Sequence, residues 1–262
     1  MNAHILQMIS GLIVVMLITP FHEFAHAFAA NKLGDRTAEE QGRLTINPLA
    51  HIDPVGAICI ILCGFGWAKP VPVNPFRFKP MRTEYVTTKS GKQKLKKTGI
   101  SMRAGMAVTA AAGPVANIIA AFITIVILRI AHIFLMTDSG LSFFWLVDNG
   151  MMPSEAQLQT YFYIMYVLYF IAIININLAI FNLIPIPPLD GSKILGFILG
   201  RKFEGWLYKN EQKLSLGLMI VLVASNFLPQ IGDIVFAPLS WISGSIFNLL
   251  MLATNWIPSL IG

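Results

Sequence analysis

The sequence predicts an all-α polytopic membrane protein of about four to six transmembrane helices. Three observations predict it. Only 12% of the 262 residues are charged and 55% are hydrophobic, whereas a soluble domain carries about 25% charged residues. Several apolar stretches approach or exceed the roughly 20 residues that a spanning helix needs. The basic residues fall in clusters between those stretches, as cytoplasmic loops require.

The elements follow in order. The first apolar stretch runs from Ile5 to about Leu33. Its beginning, Ile5 to Thr19, lacks a basic n-region and a small-residue cleavage site, which predicts a retained segment and not a signal peptide. The second, Val55 to Trp67, is too short to span and contains Gly56, Gly64 and Gly66. It predicts a re-entrant hairpin between the first two spans, where non-helical backbone is tolerated if protein or a wet cavity surrounds it. Stretches at about 104–136 and 161–184 are long enough to cross. A further one starts near Leu214, meets Pro229 and is expected to span. The last, Ile234 to Ile257, is left unoriented, because no Lys or Arg follows Lys213. One membrane domain, 1–262, accounts for the whole, with a catalytic core at about 10–200 and C-terminal apolar segments over 214–262. Cys59 and Cys63 lie in an apolar run and read as small buried hydrophobes.

Lys and Arg concentrate at 32–43, 77–103 and 193–213, and none occurs between Thr137 and Thr160. The positive-inside rule then places the N-terminus outside, 34–103 inside, 137–160 outside and 190–213 inside. Arg129, near the outer end of its span, is expected to snorkel. The dense 77–103 cluster serves topology and contact with anionic lipid head groups; no nucleic-acid partner is implied.

The chemistry begins at His22-Glu23-Phe24-Ala25-His26. On a helix, residues four apart share a face, so both imidazoles can reach one metal ion. Glu23 is rotated by about 100° and can reach a water on that ion, whose pKa zinc lowers to about 7. Glu and two His within a membrane helix are expensive unless paired or metal-bound. A catalytic zinc takes a third protein ligand and keeps one position open. His4, His51 and His132 are the remaining histidines. Among acids away from Glu23, only Asp190 and Asp233 lie in or beside apolar stretches. Asp190 follows Pro185, Pro187 and Pro188, which must unwind the helix. The unwound chain can turn its carboxylate inward at the depth of His26. Capping the next helix is its alternative role.

The pairing of His22-Glu23-x-x-His26 with Asn182-x-x-Pro185-x-Pro187-x-Leu189-Asp190-Gly191, about 160 residues away, resembles the site-2 protease family of intramembrane zinc metalloproteases. The resemblance covers roughly residues 10–200 and looks like the family's compact bacterial and archaeal branch, with no PDZ-like or nucleotide-sensing insertion. It implies that Asp190 is the third ligand of one Zn²⁺ per chain and Glu23 the catalytic acid–base. Ala112-Gly113-Pro114-Val115-Ala116-Asn117 is similar to a family helix start carrying an asparagine near the metal. Asn117 is then an oxyanion donor, or a polar contact between helices. Cys63-Gly64-Phe65-Gly66 resembles the turn of the family's re-entrant hairpin, which makes Gly64, Phe65 and Gly66 candidate substrate contacts. His51 and Asn182 are candidates for the cleft, His51 equally for a structural role.

The implied activity is hydrolysis of peptide bonds within or next to transmembrane segments of membrane-anchored proteins, as in regulated intramembrane proteolysis. The implied setting is the cell (cytoplasmic) membrane, with the active site in its cytoplasmic half. An unwound substrate could pair with the 45–75 region as an added strand. A metal transporter or metal-binding protein is the competing reading. It needs further ligands in neighbouring spans, which hold few ionisable residues. The oligomeric state is left open.

Overall fold

The computed structural model describes residues 16, 18–63, 66–87, 93–136, 143–151 and 153–257. Helices dominate: α1 (Thr19–Leu33), α2 (Thr37–Glu40), α3 (Pro54–Cys63), α4 (Met102–Met136), α5 (Phe143–Asp148), α6 (Ala156–Asn182), α7 (Asp190–Leu199), α8 (Arg201–Phe227) and α9 (Pro229–Ala253). The start of the first apolar stretch, residues 5–15, lies outside the described residues, as do Gly64 and Phe65.

Three helices among the described residues are long and apolar enough to cross a membrane, within α4, α6 and α9. The chain is a membrane protein. Its outward surface agrees: Val115, Ile119, Ile123 and Ile127 recur every fourth residue on α4 and are all exposed, a stripe that suits lipid and not water. The stretch from Leu214 was expected to span and is not among these three helices. The first half of α8 carries Arg201, Lys202, Glu204, Lys209, Glu211 and Lys213. The apolar half, 214–227, reaches only about 21 Å at ~1.5 Å per residue, short of a hydrocarbon core of about 30 Å. Leu228 ends α8 in an extended conformation before Pro229, and the last apolar stretch becomes α9.

One feature departs from an all-helical chain. Arg82–Thr87 (β1) and Gln93–Thr98 (β2) pair antiparallel, with Arg82 opposite Thr98 and Thr87 opposite Gln93. Thr83, Tyr85, Val86 and Thr87 favour strand, although the segment is rich in Lys and Arg.

The backbone forms two compact units, Met1–Ala116 with Phe181–Val235, and Asn117–Ile180 with Phe236–Gly262. In the second, small and branched residues of three helices pack together: Ala121 and Ile125 of α4, Ala172 and Ile176 of α6, and Phe247 of α9. Phe143, Leu146, Phe162 and Met165 form a neighbouring aromatic-rich cluster with Leu128. Arg129, half-buried on α4, reaches the end of α9. Its guanidinium donates to the Met251 carbonyl at 3.1 Å and to the Asn255 side chain, where the end of α9 leaves carbonyls without intrahelical partners.

In the first unit α1 ends at Gly34, whose φ of 110° is left-handed and suits glycine. Residues 52 and 68 form an antiparallel bridge, and the Lys69 N–H donates to the His51 carbonyl at 2.9 Å. The chain therefore leaves through α3, about 15 Å long at ~1.5 Å per residue, and returns to its starting point. Gly56 makes this return possible, since a Cβ there would meet the Trp67 carbonyl oxygen at 2.1 Å. Arg103, at the start of α4, binds Glu204 at 2.5 Å and the Gly196 carbonyl at 3.1 Å, which ties α4 to α7 and α8.

Candidate metal centre

The site is built on α1, where the spacing of His22 and His26 puts both rings on one face. Their Nε2 atoms lie 3.0 Å apart. Asp190 reaches them from the first turn of α7, its Oδ2 3.4 Å from His22 Nε2 and 3.1 Å from His26 Nε2. All three residues are buried. Asp190 makes no side-chain cap of its helix, so the capping alternative is not realised. The unwinding expected from the prolines is present: α6 stops at Asn182 and α7 starts at Asp190. Gly191 seals that turn, because a Cβ there would lie 2.2 Å from the Leu183 carbonyl oxygen. Asp233, the other acid considered, is exposed on α9.

These three donors form the one His/Cys/Asp/Glu cluster of metal-binding geometry among the described residues. The fit to zinc is good. Ligands at 2.0–2.2 Å in a tetrahedron stand about 3.4 Å from one another, and the observed separations are 3.0, 3.1 and 3.4 Å. The supporting bonds agree. His26 Nδ1 lies 2.7 Å from the Thr109 carbonyl oxygen, so Nδ1–H donates and Nε2 keeps its lone pair for a metal. Behind the rings stands the bare backbone of Gly113. A Cβ there would meet His22 Cε1 and His26 Nε2 at 2.5 Å. Burial works against the charge of Asp190, yet His22 and His26, with Lys193 beyond them, hold its carboxyl well below the usual range. It is therefore present as the carboxylate that ligation needs. Lys193 Nζ stands 3.9 Å from Asp190 Oδ1, on the side away from the histidines' shared oxygen.

The cluster opens into a cavity of about 130 Å³ that Glu23 also lines. Glu23 Oε2 accepts the Val71 N–H at 2.9 Å. Pro70, Val71 and Val73 form one wall, with Met106, Thr109 and Ala110 of α4. Asn182 lines the cavity, as expected. His51 does not: it is buried, with Nε2 2.8 Å from the Thr45 carbonyl oxygen and Nδ1 3.4 Å from Arg43. Asn117 is fully buried on α4 in the second unit and is not among the lining residues. Gly66 is half-buried in the returning segment.

Three contributions were not visible in the sequence. The Thr109 carbonyl and the Val71 N–H are backbone groups, which leave no trace in residue type. Arg43, counted among the cytoplasmic cations, is only 5% exposed. Burial lowers its pKa, opposed by the Glu23 carboxylate.

Comparison with known proteins agrees with this geometry. The family model described as Peptidase family M50 matches residues 10–225. Relatives carry the name "Putative zinc metalloprotease", two of them from a Bacillus and a Mycolicibacterium. YwhC of Bacillus subtilis (strain 168) is 36% identical over 229 residues, 87% of this chain and 84% of that protein. Rip2 of Mycolicibacterium smegmatis (strain ATCC 700084 / mc(2)155) is 27% identical over 175 residues, 65% of this chain and 49% of that protein. No solved structure matches the chain. With a family match over most of its length and helices fit to cross a membrane, the chain belongs to peptidase family M50, the site-2 protease family, and is an intramembrane zinc metalloprotease.

Proposed function

We propose that His22, His26 and Asp190 hold one zinc per chain and that Glu23 is the general acid–base for hydrolysis of membrane-anchored proteins within or beside their transmembrane segments, as in regulated intramembrane proteolysis. The observation that carries this reading is the convergence of three buried donors from two distant segments, 3.0–3.4 Å apart, on a cavity shared with Glu23. Bound zinc supplies an acidified water and polarises the scissile carbonyl. Glu23 does the proton work. With Oε2 held by Val71 N–H, Oε1 takes the proton from the attacking water and returns it to the leaving amine. Thr109 keeps the His26 ring in register through its carbonyl. Asp190 supplies the negative charge of the site.

Substrate handling is assigned to the α3 hairpin and its return. A helical target has no free backbone groups to offer, so it must unwind before hydrolysis. The hairpin base, bridged at Ile52 and Ala68, is extended backbone suited to accept an unwound segment as an added strand. α3 is too short to cross and is read as re-entrant. Proteoliposomes with a membrane-anchored substrate test the function. Cleavage should stop on zinc chelation and return with zinc. Gly66→Val together with Gly64→Val should lower cleavage at unchanged zinc content. Cleavage that persists through chelation contradicts the reading.

The topology follows from charge and from Arg129. The basic loops put 34–103 and 190–213 in the cytoplasm of a cell-membrane protein, and α4 runs outward from there. Arg129 lies near the outer end of α4 and binds the end of α9. The C-terminal end of α9 is therefore outside and Pro229 inside, and the apolar half of α8 does not cross. Cysteines at 148 and after 257 should be labelled from outside intact cells, and one at 90 should not. Labelling at 90 with protection at 148 reverses the assignment, and protection after 257 removes the crossing of α9.

A further inference from the structure

We propose that Arg43 is a positioning residue for the catalytic base: it clamps the segment that holds Glu23, and so sets where that carboxylate can take a proton. The inference rests on Glu23 being the base.

The geometry is a single peptide group held at both ends. Val71 N–H donates to Glu23 Oε2 at 2.9 Å. The carbonyl of the same peptide unit, that of Pro70, faces Arg43 Nη2 at 3.4 Å, and the preceding carbonyl, of Lys69, accepts from that nitrogen at 2.6 Å. A cation on the carbonyl side fixes the tilt of the peptide plane and strengthens its N–H as a donor. The sequence isolates this donor: Val71 lies between Pro70 and Pro72, neither of which has an N–H, and both of which restrict φ. The segment is thus stiff and has one backbone N–H across residues 70–72, and that N–H is spent on Glu23.

Arg43 is itself held. His51 Nε2 lies 2.8 Å from the Thr45 carbonyl oxygen, so Nε2 donates there and Nδ1 accepts from Arg43 at 3.4 Å. Lys69 N–H closes the ring on the His51 carbonyl at 2.9 Å. Farther along, the buried Asp35 accepts the Asn74 N–H at 2.6 Å, so the segment is anchored on both sides of Val71. A buried arginine is costly, and here one of its nitrogens, Nη2, is directed at the backbone that touches the base. His51 acquires a role from the same arrangement: it orients Arg43 and does not line the cleft.

Two measurements on the full-length protein in detergent test this. The first is hydrogen exchange. A peptide of residues 69–73 reports only the Val71 and Val73 amides, because both prolines are silent and the Lys69 nitrogen becomes the amino terminus. Slow exchange at Val71 is expected in the wild type and fast exchange in Arg43→Gln and in Glu23→Ala. Fast exchange at Val71 in the wild type overturns the proposal, whether or not any variant folds. The second is steady-state cleavage with metal analysis. Arg43→Gln should lower kcat by about 10- to 100-fold, the range expected of a misplaced catalytic group, with KM and zinc content unchanged, and Arg43→Lys should recover part of the loss. Val71→Pro, which removes the donor and leaves Arg43 in place, should lower kcat equally. Wild-type kcat in Val71→Pro, or loss of zinc or a rise in KM alone in Arg43→Gln, overturns it. Full cleavage by Glu23→Gln is a different failure, that of the base assignment itself.

Discussion

Glu23→Gln should lower the cleavage rate by about 10²- to 10⁴-fold, the contribution of a positioned general base, with zinc content unchanged. The amide keeps the shape of the side chain and an oxygen for Val71 N–H, so the bond at 2.9 Å can persist. What is lost is the ability to take a proton. Because Glu23 is not one of the three clustered donors, metal affinity is expected to stay. Metal analysis beside the rate measurement separates the two effects. Cleavage within tenfold of wild type would remove Glu23 from the proton path.

Gly113→Val should empty the metal site without altering any ligand. The helix α4 brings its backbone so close to α1 that a single added carbon at position 113 falls 2.5 Å from both His22 Cε1 and His26 Nε2. The rings cannot yield by a few tenths of an ångström, since His26 is also tied to the Thr109 carbonyl at 2.7 Å. They must swing away from Asp190. Disturbing the support of metal ligands lowers affinity by about 10- to 100-fold, and a displaced pair should reach or exceed that. Gly217→Ala is the control, because a Cβ there meets nothing within 4 Å. Zinc titration of the two variants checks the expectation. A Gly113→Val protein with wild-type affinity would show that α4 does not back the histidines.

Much of the site was legible because its chemistry leaves marks in residue type. Two histidines four apart announce one helical face. Three prolines before Asp190 announce an unwound chain, and the structure has that break between Asn182 and Asp190. The supporting residues were not legible, for physical reasons. Thr109 and Val71 act through backbone, which every residue possesses. Arg43 sits in a basic stretch where a topology signal and a buried clamp look alike in one dimension. Gly113 stands out by its small-residue context, but its purpose depends on which helix it faces. The fold was read correctly where length decides, at α4 and α6. Where an apolar run forms half of a longer polar helix, as at Leu214, length and composition do not single out a span. The β1–β2 hairpin is hard to read because the lysines of Gln93–Thr98 are poor strand formers, so the strand signal of Thr83, Tyr85, Val86 and Thr87 is confined to one partner.

Two imidazole nitrogens and one carboxylate should hold the catalytic zinc. Zinc K-edge absorption on the purified, metal-quantified protein tests it most directly. The prediction is one zinc per chain in a shell of nitrogen and oxygen at about 2.0–2.2 Å, with two imidazoles, and a loss of zinc in Asp190→Ala. A sulfur neighbour near 2.3 Å, the mark of cysteine ligation, or full zinc retention in Asp190→Ala, would contradict it.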